Sequence, residues 1–270
     1  MIVNNKKILI VVVMALSLNL FSQNNETNKT KETIEANKNS WHFKLEANLM
    51  LPKAHGKTGV ANYPNLDIDQ KASDIYHHIS YGGMYTFEAS NDKWVIATDF
   101  IYSSLDASAK ETMLVRKGKV NADQFITDVS VLRKITPWLD AGVGGTIVHV
   151  KAGFDAAVVN PFIGQVITLD RSISRTWVEP MIIARTTSSS DRKFMYTVRG
   201  GVGGFGIGSK FSWQAEAYAG YRFSEFFYAS LGYRALSFNY KNGNNENAFL
   251  YDMTISGPTL KLGFNMDKLF

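Results

Sequence analysis

The 270-residue sequence predicts an all-β fold, an antiparallel up-and-down transmembrane β-barrel of about ten strands with eight as the runner-up. Three observations predict it. Apolar and polar residues alternate at period two along most of the chain after residue 40. Short connections alternate with longer, more polar ones. One face of the alternation is almost free of formal charge, which suits lipid better than water.

Residues 1–22 read as a secretory signal. Lys6 and Lys7 precede an apolar run from Ile8 to Phe21, and the small Ser22 comes before Gln23. Ser17 and Asn19 break the run, which is short for a membrane-crossing helix. Residues 23–40 carry one large apolar side chain, Ile34, too little burial to offset ordering entropy, and read as a disordered periplasmic linker. The barrel is expected over 41–270. Without Lys6 and Lys7 the formal charge of +5 falls to 27 basic against 24 acidic residues, or +3, which gives nucleic-acid binding no support. With no cysteine, the exported chain has neither a disulfide nor a lipid-anchoring thiol.

In the first strand Trp41, Phe43, Leu45, Ala47, Leu49 and Leu51 form one face, and His42, Lys44, Glu46 and Asn48 the other. Tyr81, Gly83, Tyr85, Phe87 and Ala89 then oppose Ser80, Gly82, Thr86 and Glu88. The turn Asn91-Asp92-Lys93 leads into Trp94, Ile96, Thr98, Phe100 and Tyr102, set against Asp99 and Ser103. Residues 121–135 form a weaker strand, turning at Thr136-Pro137 into Leu139, Ala141, Val143 and Ile147. Val178, Pro180, Ile182 and Ala184 oppose Glu179 and Arg185, and the stretches from Phe211 and Phe227 alternate most cleanly. The spacing places strands at 41–51, 76–90, 93–105, 121–135, 138–152, 173–187, 193–207, 210–223, 226–241 and 248–266.

Connections at 91–92, 136–137, 188–192 and 224–225 are expected as periplasmic turns. Those at 52–75, 106–120, 153–172 and 242–247 are expected as external loops, with an unusually tight one around Gly208. Trp41, Trp94 and Trp138 each begin a strand leaving the periplasmic side, where an interfacial aromatic girdle belongs. The last strand closes on Phe270, and such a terminal aromatic resembles the assembly signal of outer-membrane barrels. On that strand Asp252, Thr254 and Ser256 would fall on the lipid face. A bulge at Gly257-Pro258 would return them to the interior; alternatively this part already lies above the membrane.

Gly201-Val202-Gly203-Gly204-Phe205-Gly206 matches the dinucleotide-binding pattern by letter, but a strand rather than a helix is expected after it. The five histidines, His42, His55, His77, His78 and His149, are scattered, with His77 and His78 expected on opposite faces of a strand, so no metal or cofactor is expected. His78 and Ser80 on one strand face, with Glu88 farther along it, are the residues a lipid-modifying hydrolase would use. More informative is the charge on the inward face. Glu46, Glu88, Asp99, Asp128, Asp140, Glu179 and Glu216 stand against Lys44, Arg185, Arg199, Arg222, Arg234 and Lys261, a near balance that suits paired charges filling a narrow lumen.

The stretch Trp177 to Pro258 resembles a family of uncharacterised Gram-negative outer-membrane β-barrel proteins, a small porin-like barrel domain. Trp177-Val178-Glu179-Pro180, Gly203 to Ser209, Trp213-Gln214-Ala215, Gly220 to Ser224, Leu231 to Arg234, Tyr251-Asp252 and Gly257-Pro258 carry the resemblance. It implies a fold and an outer-membrane location, and no catalytic residue. The expected partners are outer-membrane lipid, lipopolysaccharide and the barrel-assembly machinery. Three functions are weighed: a non-enzymatic barrel of structural or narrow small-solute role, the hydrolase above, and a secreted soluble β-barrel that binds a ligand.

Overall fold

The computed structural model describes residues 40–60, 65–109, 115–159, 166–188, 192–245 and 248–267. The signal segment, nearly all of the expected linker, and Phe270 lie outside them. In chain order the elements are β1 (His42–Met50), β2 (Lys53–Val60), β3 (Leu66–Gln70), α1 (Ala72–His78), β4 (Ile79–Ser90), β5 (Trp94–Ala109) and β6 (Val115–Thr136). Then come β7 (Leu139–Val159), β8 (Val166–Thr187), β9 (Phe194–Gly203), β10 (Phe211–Arg222), β11 (Phe227–Asn242) and β12 (Phe249–Asn265).

β4 to β12 pair with their chain neighbours in order, and β1 pairs with both β4 and β12, so ten antiparallel strands close a barrel. β2 and β3 add a hairpin beside the far half of β12. The turns at the end holding Trp41 and Asp267 are tight because side-chain oxygens pin them. Asn91 Oδ1 accepts the amides of Lys93 and Trp94, both at 2.8 Å, Thr136 Oγ1 accepts that of Leu139 at 3.0 Å, and Ser224 Oγ that of Phe227 at 3.0 Å.

Through the half of the barrel nearest those turns, the terminal half, the outward rows are apolar and the inward rows mostly polar, apart from a small buried apolar cluster of Val95, Leu132, Met181 and Ile183. Toward the distal end the sense inverts without a change of register. Leu236, Phe238, Tyr240, Phe249, Tyr251 and Met253 continue the inward rows of β11 and β12 and pack with Ile126, Val148 and Trp177 into a buried cluster. Ser237 and Thr254 meanwhile hydrogen-bond at 2.9 Å on the outward rows. β12 pairs with β11 without a slip from Phe264 to Phe249, so the bulge expected at Gly257-Pro258 is absent. Asp252, Thr254 and Ser256 do face outward, beyond the apolar band.

Other boundaries also move. The expected loop 52–75 holds β2, β3 and part of α1, and β4 starts at Ile79 because the residues before it are helical. His77 and His78 therefore lie on a helix, not on two faces of a strand. β5 to β8 run through most of 106–120 and 153–172, whereas β9 stops at Gly203. The β9–β10 turn is tight because Gly204, Gly206 and Gly208 adopt φ of +86°, +79° and +81°. No helix follows the dinucleotide-like glycines; β10 does.

Candidate functional site

All thirteen charged residues expected in the lumen share their strands' inward rows with buried neighbours. Their register creates a conflict that the barrel resolves. Asp99 stands directly opposite Asp128, and Arg185 opposite Arg199, like charges that repel across neighbouring strands. Each finds a counter-charge on a more distant strand, and Arg185 and Arg199 also have a carboxylate as direct cross-strand neighbour, Asp140 and Glu216. Arg234 on β11 bonds Asp99 on β5, on the opposite wall. Arg199 Nη2 donates to Asp128 Oδ1 at 2.6 Å, and Arg185 joins Glu88 and, at 2.7 Å, Asp140.

Glu216 is the hub. Lys261 Nζ lies 3.8 Å from it, and Arg199 and Arg234 each 4.0 Å. Lys261 also reaches Glu46 at 3.2 Å and sits 4.1 Å from the Tyr218 ring centroid, while Tyr228 Oη donates to Glu46 at 2.7 Å. Lys44 meets Glu88 at 3.5 Å, and Arg222 Nη2 lies 3.8 Å from Met195 Sδ. Neutral partners complete the layer: Gln214 and Thr146 donate to Asp128 at 3.2 and 3.0 Å, and Thr86 donates to Asp99 at 3.1 Å. Glu179 differs from the rest. Fully buried, it accepts Trp177 Nε1 at 2.6 Å and the hydroxyl of Ser209, and among the described residues it has no ion pair. The Ser209 bond ties the β9–β10 turn to β8, and the Trp177 bond holds the Glu179 carboxylate from within β8.

Between this charged layer and the distal apolar cluster lies a cavity of about 10 Å³, bordered by Asp99, Asp128, Thr146, Gln214, Arg234 and Leu236. It has room for about one water molecule. Sequence reasoning missed Tyr218, Tyr228, Ser209 and Gln214 as members of the layer, although all except Ser209 lie in the same inward rows as the charges it named.

Trp94 and Trp138 are 38% and 56% exposed at the terminal end, where Phe194, Phe223 and Phe226 join them, and Trp41 is half-buried. The hydrolase residues are not gathered. His78 Nδ1 meets the Asp74 carbonyl oxygen within α1, the Ser80 hydroxyl donates to Asp106, and Glu88 faces the lumen. No group of three or more metal-ligating side chains occurs among the described residues.

No protein-family model and no curated protein matches the chain. Among solved structures, the outer-membrane protease OmpT of Escherichia coli is similar with a TM-score of 0.48 and 10% identity over 84% of this chain and 98% of that one. The attachment invasion locus protein Ail of Yersinia pestis aligns at 0.36 and 11% identity, over 83% and 97% of the two chains. The toluene transporter TodX of Pseudomonas putida aligns at 0.33 and 8%, over 83% and 90%. The architecture is that of a small porin-like barrel. It is the fold that the family resemblance implied.

Proposed function

We propose that this is a non-enzymatic barrel of a Gram-negative outer membrane, exported by its N-terminal signal, with a lumen closed by structure rather than open to solutes. Its tight-turned terminal end faces the periplasm and its taller distal end the outside. The outward rows, apolar through the terminal half and bounded by exposed aromatics, support the membrane setting. The observation that carries the closed lumen is the cross-lumen ion-pair layer, capped by the packed apolar cluster, with a one-water cavity between them. Ten strands enclose a space that side chains can fill, whereas open aqueous pores are built from sixteen or more.

Planar-bilayer recording of the refolded protein tests this. The expected record is flat; discrete conductance steps would replace the closed lumen with a narrow solute path. Recovery in the aqueous phase without detergent, with no change in gel migration on heating, would sink the membrane setting and favour a secreted ligand-binding barrel.

A further inference from the structure

The β9–β10 turn, residues 204–210, is apolar where the connection beside it is polar. From Gly200 to Ser209 no residue carries a charge, whereas the β11–β12 connection begins Gly243-Asn244-Asn245 and all three are exposed. At the tip of the turn Phe205 and Ile207 are 54% and 64% exposed. The tip is held rather than loose. The Gly206 amide donates to the Ser209 carbonyl at 3.1 Å, that of Ile207 to the Gly204 carbonyl at 2.7 Å, and the Ser209 hydroxyl to Glu179. Phe205 itself sits at φ +48°, a region that bulky side chains rarely adopt. Holding a phenylalanine there only to wet its ring would add one cost to another.

The exposed tip continues an apolar surface. Val178 on β8, Val202 on β9 and Phe211 on β10, 53%, 44% and 51% exposed, lie on the outward rows beside and below it. Beyond it the flanking outward rows turn polar, with Thr176 and Ser174 on β8 and Asn239 and Lys241 on β11. The wall is also lowest here. β9 pairs with β8 only from Met181 to Thr187, so β8 continues to Val166 with no partner strand on that side among the described residues.

We infer that the β9–β10 turn dips Phe205 and Ile207 among the acyl chains of the outer leaflet, so that the rim at this point lies at the lipid surface and not above it. This rests on the membrane setting proposed above. Continuity with the lipid-facing rows and the absence of charge favour acyl chains as the cover. A second copy of the chain fits less well, because five apolar side chains are few beside the roughly 20–30 residues a side of a stable protein interface.

The chain has no cysteine, so single substitutions place single nitroxide labels on the full protein refolded into phosphatidylcholine vesicles. Oxygen concentrates among acyl chains and a polar nickel chelate stays in water, so the ratio of their collision rates with the label reads immersion. Ile207→Cys should give an oxygen-to-nickel ratio near that of Val178→Cys in the apolar band and severalfold above that of Asn244→Cys in the β11–β12 connection. A ratio at Ile207 matching Asn244, with a high one at Val178, overturns the inference and leaves the membrane setting intact. Slow collision with both reagents at Ile207 also overturns it, in favour of a second copy covering the turn. A low ratio at Val178 as well overturns the membrane setting, and the inference with it. Should Ile207→Cys fail to fold, judged by unheated gel migration, Phe205→Cys carries the same test.

Discussion

Replacing Arg234 by methionine puts the closed lumen to a quantitative test. Arg234 is 3% exposed, bonds Asp99 and lies 4.0 Å from Glu216. Without it, Glu216 keeps Lys261 and Arg199, but Asp99, itself 5% exposed, keeps only the Thr86 hydroxyl of its hydrogen-bonded partners. Breaking a buried pair from one side costs about 3–5 kcal/mol, most of it from the charge left behind. That is about two to four powers of ten in the folding equilibrium. Removing both partners in Asp99→Leu/Arg234→Met leaves no orphan, so the double variant should lie within about 1 kcal/mol of wild type. Urea titration in detergent, followed by tryptophan fluorescence and by the unheated folded band on a gel, measures wild type, the two single variants Asp99→Leu and Arg234→Met, and the double variant. If the double variant is as unstable as the sum of the singles, or if Arg234→Met costs under about 1 kcal/mol, the pair stands in water and the argument for a closed lumen fails.

Two further outcomes follow from the distal half. A Cβ at Gly208 would lie 2.4 Å from the Val178 carbonyl oxygen as well as at φ +81°, whereas Gly206, at +79°, has open space. Gly206→Ala should therefore cost about 1–2 kcal/mol and Gly208→Ala clearly more; the reverse order of urea midpoints would contradict the packing of this turn. Distal to the apolar band, the Ser80 hydroxyl donates to Asp106 at 2.7 Å and holds its carboxyl below the usual range, with Lys119 at 3.4 Å adding to the effect. A carboxyl lowered on folding stabilises above its unfolded pKa and loses that contribution as pH falls through the folded one. Ser80→Ala should move the carboxyl ¹³C titration of Asp106 upward, and an unmoved titration would remove the hydrogen bond from the account.

The strands were legible wherever lipid and lumen impose opposite demands on alternate residues. Phe211 to Phe223 shows this best, with outward aromatics and alanines against inward Ser212, Gln214 and Glu216. Beyond the apolar band that contrast fades. β2 alternates Lys53, His55 and Lys57 with Ala54, Gly56 and Thr58, a pattern too weak to stand out from a polar loop. The buried cluster of Leu236, Phe238 and Tyr240 escaped notice for a related reason. These residues lie in the same row as Arg234, and nothing local marks where the lumen turns from polar to apolar. Inward charges could be named from parity alone, but not who meets whom. Arg234 and Asp99 are 135 residues apart, and only closure of the barrel brings them together.

That closure also orders events in time. β1 is made first among the described strands, yet one of its edges is satisfied only by β12, and His42 meets Asp267 across a separation of 225 residues. Until the last strand arrives, the first one offers an open row of amides and carbonyls, an invitation to wrong partners. Contacts this distant are reached late and slowly, because the entropy of closing so large a loop must be overcome before they return anything. A chain cut short before β12 would be left as an open sheet with two bare edges and its acidic and basic lumen residues facing one another without a wall to hold them.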